Sequence, residues 1–479
     1  MKLPKYLIGI SAFLFLLIVN SFSEAKTLTV QDCIEIAKKN NLSFKAQEFN
    51  LFIARLNNDL AKSNFKLDSS ATLTAPNYNF YRQPQYYPGF PYKFMYEQET
   101  TEFKGELSVT QPLPSNGSVS LYSYLKDQDS NYNIYNDEHE ITANTGITFR
   151  QPLFKINTLK TALTKAEYEY QKALNTFEEQ TRKLEYEVKD KFYNVLYAKA
   201  QVEIDKENVS NSEYIYKITQ EKILAGLLPE IDKLTVSVDL ANNISQLMES
   251  ELNLENQKNE LKRYLDIPLS EEIVVQGEIT LENDINISLE ELEKFAFENR
   301  SDLKNLILTK QSMLLDLREV KYRKRITADL VANYGYEGRG NDLTEAFDTY
   351  DSNRWGVGIT IDIPIFDWGR KDIAIETKEL QIQSMNLQIA QMKSNIAYSV
   401  RSNYLRLESS RNRLKILEKN KEQARENLKV IQMKFELGMT TLESVNAAQL
   451  SLKRAELNEL KAKVDFNSSI HQIKIEAGI

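Results

Sequence analysis

Apolar residues recur every seven positions through two long stretches of this chain. Val188, Val195, Val202, Val209, Tyr216 and Ile223 form one run, and Val400, Leu407, Leu414, Leu428 and Phe435 form another, with Lys421 in the missing slot. Leu417, Ala424 and Ile431 add a second seam three residues on. A sustained seven-residue repeat keeps one seam facing a partner only when helices wind around each other left-handedly, so both stretches predict coiled-coil helices. Helix breakers are missing from the same regions. No Gly or Pro occurs in the 73 residues from Leu153 to Ala225, the 68 from Arg370 to Leu437 or the 39 from Met439 to Ala477. Gly226-Leu227-Leu228-Pro229 interrupts the first array, and Gly438 ends the second. A helix of roughly 70 residues would span about 105 Å, which only packing along a partner can stabilise.

A period of two replaces the period of seven where the helices stop. Trp355, Val357, Ile359, Ile361 and Ile363 share one face of a strand, and Gly356, Gly358, Thr360 and Asp362 share the other. Leu330, Ala332, Tyr334 and Tyr336 offer a partner, while Leu67, Ala71, Leu73, Ile147 and Phe149 do the same earlier in the chain. Such strands, expected at about 67–77, 142–152, 328–337 and 354–364, have the apolar-out, polar-in alternation of a membrane barrel. An amphipathic strand of a soluble sandwich carries the same pattern, and a cytoskeletal or adaptor-like coiled coil is the alternative for the helices. Between the first two strands, at about 78–130, lies an insertion. Its segment from Tyr78 to Tyr96 holds nine aromatic residues with Pro84, Pro88 and Pro91, a composition suited to an outer interface or external loop. Phe103, Gly105, Leu107 and Val109, then Asn116-Gly117, then Val119, Leu121 and Tyr124 read as an extra hairpin, to be paired in the barrel or folded over its rim.

The chain is a duplication. Ile147 to Phe154 resembles Ile359 to Phe366 at an offset of 212, and Gly226/Gly438 and Val188/Val400 keep that offset. Leu28-Thr29-Val30-Gln31-Asp32 resembles Ile287-Ser288-Leu289-Glu290-Glu291 at an offset of 259, with Thr29 and Ser288 placed as helix N-caps and Asp32 and Glu291 at the capping-box position. The 47-residue difference between the offsets is the size of the insertion. The expected organisation is a signal peptide at 1–25, a first repeat at 26–265 with its tip at 226, a linker at 266–286, and a second repeat at 287–479 with its tip at 438.

Composition narrows the function. Lys2 and Lys5 precede an uncharged, mostly apolar run from Tyr6 to Val19, and Ser23-Glu24-Ala25 supplies small residues for cleavage, so export with cleavage near Ala25 is expected over a retained N-terminal anchor. No later stretch is apolar enough to span a membrane as a helix, so membrane entry requires a closed barrel. Cys33 is the only cysteine, which excludes an intrachain disulfide, and His139 and His471 lie far apart in sequence. No cofactor or metal is expected, and a net charge of −8 gives no reason for a nucleic-acid partner. No nucleophile elbow or phosphate loop is present, so an enzyme is the weakest reading.

Phe366-Asp367-Trp368-Gly369-Arg370 after a Pro-Ile step resembles the strand-to-helix junction of the TolC-like outer-membrane efflux protein family. The tip segments Lys222 to Leu227 and Phe435 to Thr440 resemble that family's helix turns. The resemblance covers the chain from Leu28 to its end. It implies a mainly α fold with membrane β: a two-fold internal repeat of long coiled-coil hairpins plus strands. Three copies would form an α-barrel continuous with an outer-membrane β-barrel, with four strands from each protomer. It implies an outer-membrane duct in a Gram-negative-type cell, with a large periplasmic part. The duct would passively conduct small toxic compounds or secreted proteins from an inner-membrane transporter of RND or ABC type through a periplasmic adaptor (membrane fusion protein). A non-conducting coiled-coil envelope scaffold is the alternative.

The resemblance also implies site residues. Gly226, Leu227, Leu228, Gly438, Met439 and Thr440 would form adaptor-contacting tips. Asp232 matches the family's acidic entrance position, six residues after the tip glycine; the second repeat has Ser444 there and Ala447 further on, leaving Glu443 as the substitute. Pro152, Phe154, Pro364, Phe366, Asp367, Gly369 and Arg370 would shape the strand-to-helix junctions, and Trp355 and Trp368 would anchor the lipid interface.

Overall fold

The computed structural model describes residues 26–479 apart from 87, 88, 90, 134, 135, 227, 228, 286, 324, 350, 351 and 438. The signal-peptide reading of residues 1–25 and the assignments to Leu227, Leu228 and Gly438 lie outside the described residues. The chain divides into two compact units, one from residues up to Phe49 with Asn175–Leu303 and Met392–Ile479, the other from Asn50–Leu174 and Lys304–Gln391.

The first unit is built mainly from long helices. α1 (Val30–Asn40) and the first part of α2 (Leu42–Ser63) lead into it. α3 (Thr158–Leu224, in this unit from Asn175) and α4 (Glu230–Leu265) form one pair, and after α5 (Leu289–Asn299) and the start of α6 (Ser301–Tyr322), α8 (Arg370–Glu436, in this unit from Met392) and α9 (Leu442–Ala477) form the other. The duplication reappears residue for residue. α3 and α8 are both 67 residues long, α4 and α9 both 36, each at the 212-residue offset. Thr29 and Ser288 both close capping boxes, with Asp32 and Glu291 respectively. A short parallel pair joins β1 (Lys26–Leu28) to β6 (Ile273–Val275) within the 266–286 linker.

Heptad positions supply much of this unit's core. Val188, Val195, Val202, Val400, Leu407 and Leu414 are buried, and they join Leu28, Cys33, Phe192, Leu261 and Leu265 among the buried apolar residues. Further along, Val209, Tyr216 and Leu428 are only half-buried. Lys421, the polar residue in the heptad seam, pairs with Glu459 of α9 at 3.0 Å; Lys463 reaches the same carboxylate at 2.7 Å, and that side chain is only 6% exposed. Burial would raise the Glu459 carboxyl, but the two ammonium groups hold it below its usual range. The seam therefore exchanges one apolar contact for an ion triad around a buried carboxylate.

The linker is stitched to the helices by polar groups that the sequence reading did not identify. Asn467, wholly buried, accepts from the Glu282 backbone N–H at 2.9 Å and donates to the Thr280 carbonyl at 2.7 Å. The Glu282 carboxylate lies 2.6 Å from Lys189 Nζ, 3.4 Å from His471 Nε2 and 3.6 Å from Lys474 Nζ. His471 Nδ1 meets Asp190 at 2.9 Å, and its ring stacks on Tyr186.

The second unit is a six-stranded antiparallel sheet with helical segments leading to it. β2 (Asp68–Tyr86), β3 (Lys93–Pro112), β4 (Ser118–Tyr132), β5 (Glu138–Leu153), β7 (Thr327–Gly340) and β8 (Ser352–Asp362) lie in the order β2-β3-β4-β5-β7-β8. This corrects the expectation of four strands per protomer. The 47-residue difference falls between the start of β2 and β5, and the β3–β4 hairpin within that span pairs along its length with β2 and β5. The strands also outrun the expected ranges: β2 continues through the aromatic segment to Tyr86, because ladder hydrogen bonds to β3 persist beyond the region of alternation. β8 stops at Asp362, before Pro364, which has no N–H to give a ladder. A short helix, α7 (Leu343–Asp348), joins β7 to β8 and packs so closely on Gly340 that a Cβ there would lie 2.5 Å from the Ala346 nitrogen.

Candidate functional site

Two faces of the sheet differ sharply. The register places Tyr334 opposite both Trp355 and Ile147, Ile147 opposite Leu121, and Leu121 opposite Val109. One row therefore runs apolar across five strands. The neighbouring rows add Ala332, Phe149 and Val119 on one side, and Ala143, Leu125, Gly105 and Leu73 on the other. Many of these side chains have nothing over them: Leu73 is 87% exposed and Trp355 73%. Where polar atoms fall on this face they satisfy each other, as the Ser123 and Thr145 hydroxyls do at 2.8 Å. A contiguous exposed apolar surface of this kind needs a non-aqueous neighbour. On β5 its exposed part carries Ile147 and the half-buried Phe149, whereas Ile141 and Ala143, further along the same face, are buried.

The opposite face is polar and internally paired. Lys104 bridges to Glu106 at 2.6 Å and lies over the Tyr124 ring at 4.5 Å. Asn144 donates to Glu337 at 3.0 Å, and Arg339 reaches Glu337 at 2.7 Å and Glu140 at 3.7 Å. Tyr122 lies across Gly146, where a Cβ would meet its hydroxyl at 2.5 Å. Sheets that keep one apolar and one charged face separate lipid from water.

Strand-to-helix junctions close the sheet's lower ends. In the second repeat Asp367 accepts from the Gly369 N–H at 3.1 Å and the Lys371 N–H at 3.2 Å, while its carbonyl accepts from the Arg370 N–H. Trp368 and Gly369 both take positive φ, 57° and 71°, and Phe366 packs edge-on against Trp368 at 4.8 Å. Arg370 is the first residue of α8, and Trp368 is 76% exposed. In the first repeat Pro152 stays within β5, Phe154 supplies the left-handed residue with φ 63°, and Asn157 caps α3 by accepting from the Lys160 N–H at 2.8 Å. Asp329 ties this junction to the sheet through Lys155 at 2.7 Å.

The helix turns lie in the first unit. Gly226 adopts φ 73° and donates to the Ile223 carbonyl, a left-handed cap that a residue with a Cβ enters at a cost. α4 then begins after Pro229, with Asp232 half-buried in its first turn and Ile231 63% exposed. At the second turn Leu437 and Met439 are both 74% exposed, and Met439 donates to the Lys434 carbonyl. Thr440 is half-buried. Thr441 caps α9 by accepting from the Ser444 N–H, and Glu443 is exposed in that first turn. The Thr441-x-x-Ser444 spacing was the available signal for this cap. His139 sits with Asp127 and Asp129 on the sheet, and His471 with Asp190 and Glu282 among the helices. No cluster of metal-ligating residues and no helix apolar enough to cross a membrane occurs among the described residues.

Comparisons agree with this geometry. The family described as Outer membrane efflux protein matches residues 116–266 and 327–473, the two repeats in turn. The fold is similar to the CmeC outer membrane channel of Campylobacter jejuni, at 14% identity over 94% of this chain and 85% of that one, with a TM-score of 0.64. VceC of Vibrio cholerae is similar at 13% identity over 94% and 96%, with a TM-score of 0.61. The open state of Neisseria gonorrhoeae MtrE is similar at 14% identity over 94% and 88%, with a TM-score of 0.62. Among curated protein sequences, none matches.

Proposed function

The chain belongs to the outer membrane efflux protein family, and from that premise we propose that three copies form the exit duct of a tripartite export system. Membership makes the protein a passive outer-membrane channel with a large periplasmic helical part, and not an enzyme. The finer reading is that small toxic compounds or secreted proteins pass through it from an inner-membrane transporter of RND or ABC type and a periplasmic adaptor. The observation that carries the assembly is the open sheet. Among the described residues, β2 and β8 each have a strand neighbour on one side only. A spanning sheet in lipid tolerates no unpaired edge, so neighbouring copies must close the ring.

The remaining assignments follow from this reading. Gly226 and the exposed Leu437 and Met439 make the helix turns the docking surface for the adaptor, with Thr440 beside them. Asp232 and Glu443, both in first turns of returning helices, are the candidate carboxylates of the periplasmic entrance. Trp355 and Trp368, both largely exposed, are the candidate interface anchors. Pump and adaptor supply energy and cargo selection, since no step here makes or breaks a bond. Purified protein, cross-linked to establish copy number and inserted into a planar bilayer, tests the proposal. Stepwise currents from a trimer are expected; a sealed or monomeric protein would instead favour the non-conducting scaffold.

A further inference from the structure

We propose that the β3–β4 hairpin is part of the barrel wall, so that three copies close an eighteen-stranded barrel by pairing β8 of each protomer with β2 of the next. The inference rests on the trimeric duct proposed above. Its starting point is the inequality of the two repeats. The second contributes β7 and β8 to the sheet; the 212-residue offset carries β4 and β5 onto them, and the 259-residue offset carries the start of β2 onto that of β7, so the first repeat holds two strands more than the second. Without the hairpin, three copies would supply twelve strands. The hairpin lies between β2 and β5 in the sheet order and prevents any direct contact between their ladders.

Three observations place the hairpin in the wall instead of over its rim. First, its pairing is complete: β4 matches β5 from Ser118↔Arg150 to Ser130↔Glu138, and β3 matches β4 from Pro112↔Ser118 to Gln98↔Tyr132. Second, its outward residues continue the apolar rows of β5 and β7 in register. Val119, Leu121 and Leu125 stand opposite Phe149, Ile147 and Ala143, and Val109 extends the row through Leu121. A rim cover bathed in water has no use for such a face. Third, its other side continues the polar face. Tyr124 stands opposite Asn144, Lys126 opposite Thr142, and Lys104 and Glu106 follow on β3. Adding a hairpin adds two strands, so the number stays even. The outer strands β2 and β8 therefore still run antiparallel, as pairing between copies requires.

The consequence is a wider exit. Strands spaced about 4.8 Å apart and tilted about 40° give a backbone diameter of about 24 Å for twelve strands and about 36 Å for eighteen. The gain lies wholly in the outer-membrane barrel, which suits bulky or partly folded cargo at the final step.

The full-length chain carrying Ser123→Cys and Thr145→Cys tests the placement, because those hydroxyls are 2.8 Å apart across β4 and β5. Oxidation in outer-membrane preparations should give near-complete disulfide within one chain. Single-particle imaging of the purified wild-type trimer should show a barrel about 1.5-fold wider than twelve strands allow. A trimer about 24 Å across with no disulfide overturns the inference and leaves the duct intact. A disulfide in a particle that is not a trimer overturns the count of eighteen, together with the trimeric reading on which it rests.

Discussion

Glu282→Gln removes one charge from the cluster that fastens the 266–286 linker to α3 and α9. The carboxylate lies 2.6 Å from Lys189, with Lys474 and the His471 ring beyond. Partial burial alone would raise its pKa, but Lys189, with help from His471 and Lys474, lowers it from 4.5 to about 2. At 1.36 kcal/mol per pH unit this is worth about 3.4 kcal/mol before solvent is considered. The side chain is 19% exposed and its cationic partners about a quarter exposed or less, so screening brings the figure to about 1–2 kcal/mol. A carboxyl whose folded value lies below its unfolded value stabilises fully above the unfolded value and loses that contribution as the pH falls through the folded one. The contribution is therefore complete above about pH 4.5 and disappears as the pH approaches 2. The assay is hydrogen exchange resolved to the linker peptides, where the Glu282 amide is held by Asn467. Loss of about 1–2 kcal/mol from local opening makes those amides exchange about 5- to 30-fold faster at pH 7. The difference from wild type should shrink below about pH 4.5, after correction for intrinsic rates. Equal corrected rates at pH 7 would refute the view that this ion cluster holds the linker.

The ion triad around Glu459 in the heptad seam gives a second test. Lys421→Ala leaves Glu459 with Lys463 alone and should cost about 1–3 kcal/mol in denaturant unfolding at pH 7, whereas Lys421→Leu combined with Glu459→Leu should be neutral or stabilising. Because the Glu459 carboxyl is held low, the cost of Lys421→Ala should fall once the pH drops below the unfolded carboxylate value of about 4.3. At the proposed entrance, Glu443→Gln should reduce the preference of the open channel for cations, measured as a shift in reversal potential across a salt gradient; an unchanged reversal potential removes Glu443 from the pore.

Legibility in the sequence followed the strength of each periodic signal. The seven-residue repeat and the missing glycines and prolines marked three of the four long helices, and the duplication implied the fourth, because a helix that long has few other ways to bury its surface. Heptad position did not reveal how burial declines from Val202 to Val209, since that depends on which helices lie alongside. Alternation identified the strands only where one face is apolar. It could not extend β2 to Tyr86, where both faces carry polar or aromatic residues and only backbone ladders maintain the strand. Isolated polar residues were the least legible. No sequence signal singled out Asn467, or His471 beyond its being one of two histidines, because their partners come from distant segments: Thr280 and Glu282 from the linker and Asp190 from α3.

Duplication and insertion place different demands on the two parts of the molecule. The helices return at a fixed offset with unchanged lengths, 67 and 36 residues, as expected where heptad seams have to match the neighbours they pack on. A change in one helix alone would leave turns of its seam without a counterpart. A sheet closed by repeated antiparallel pairing has no such constraint. It accepts two further strands wherever a hairpin keeps one face apolar and one polar, and the new strands form the same ladders as the old. The 47 residues are therefore found between β2 and β5 and nowhere in the helical hairpins. On this argument, the barrel is where such a duct can change its bore, and the helical hairpins are where its dimensions must stay fixed.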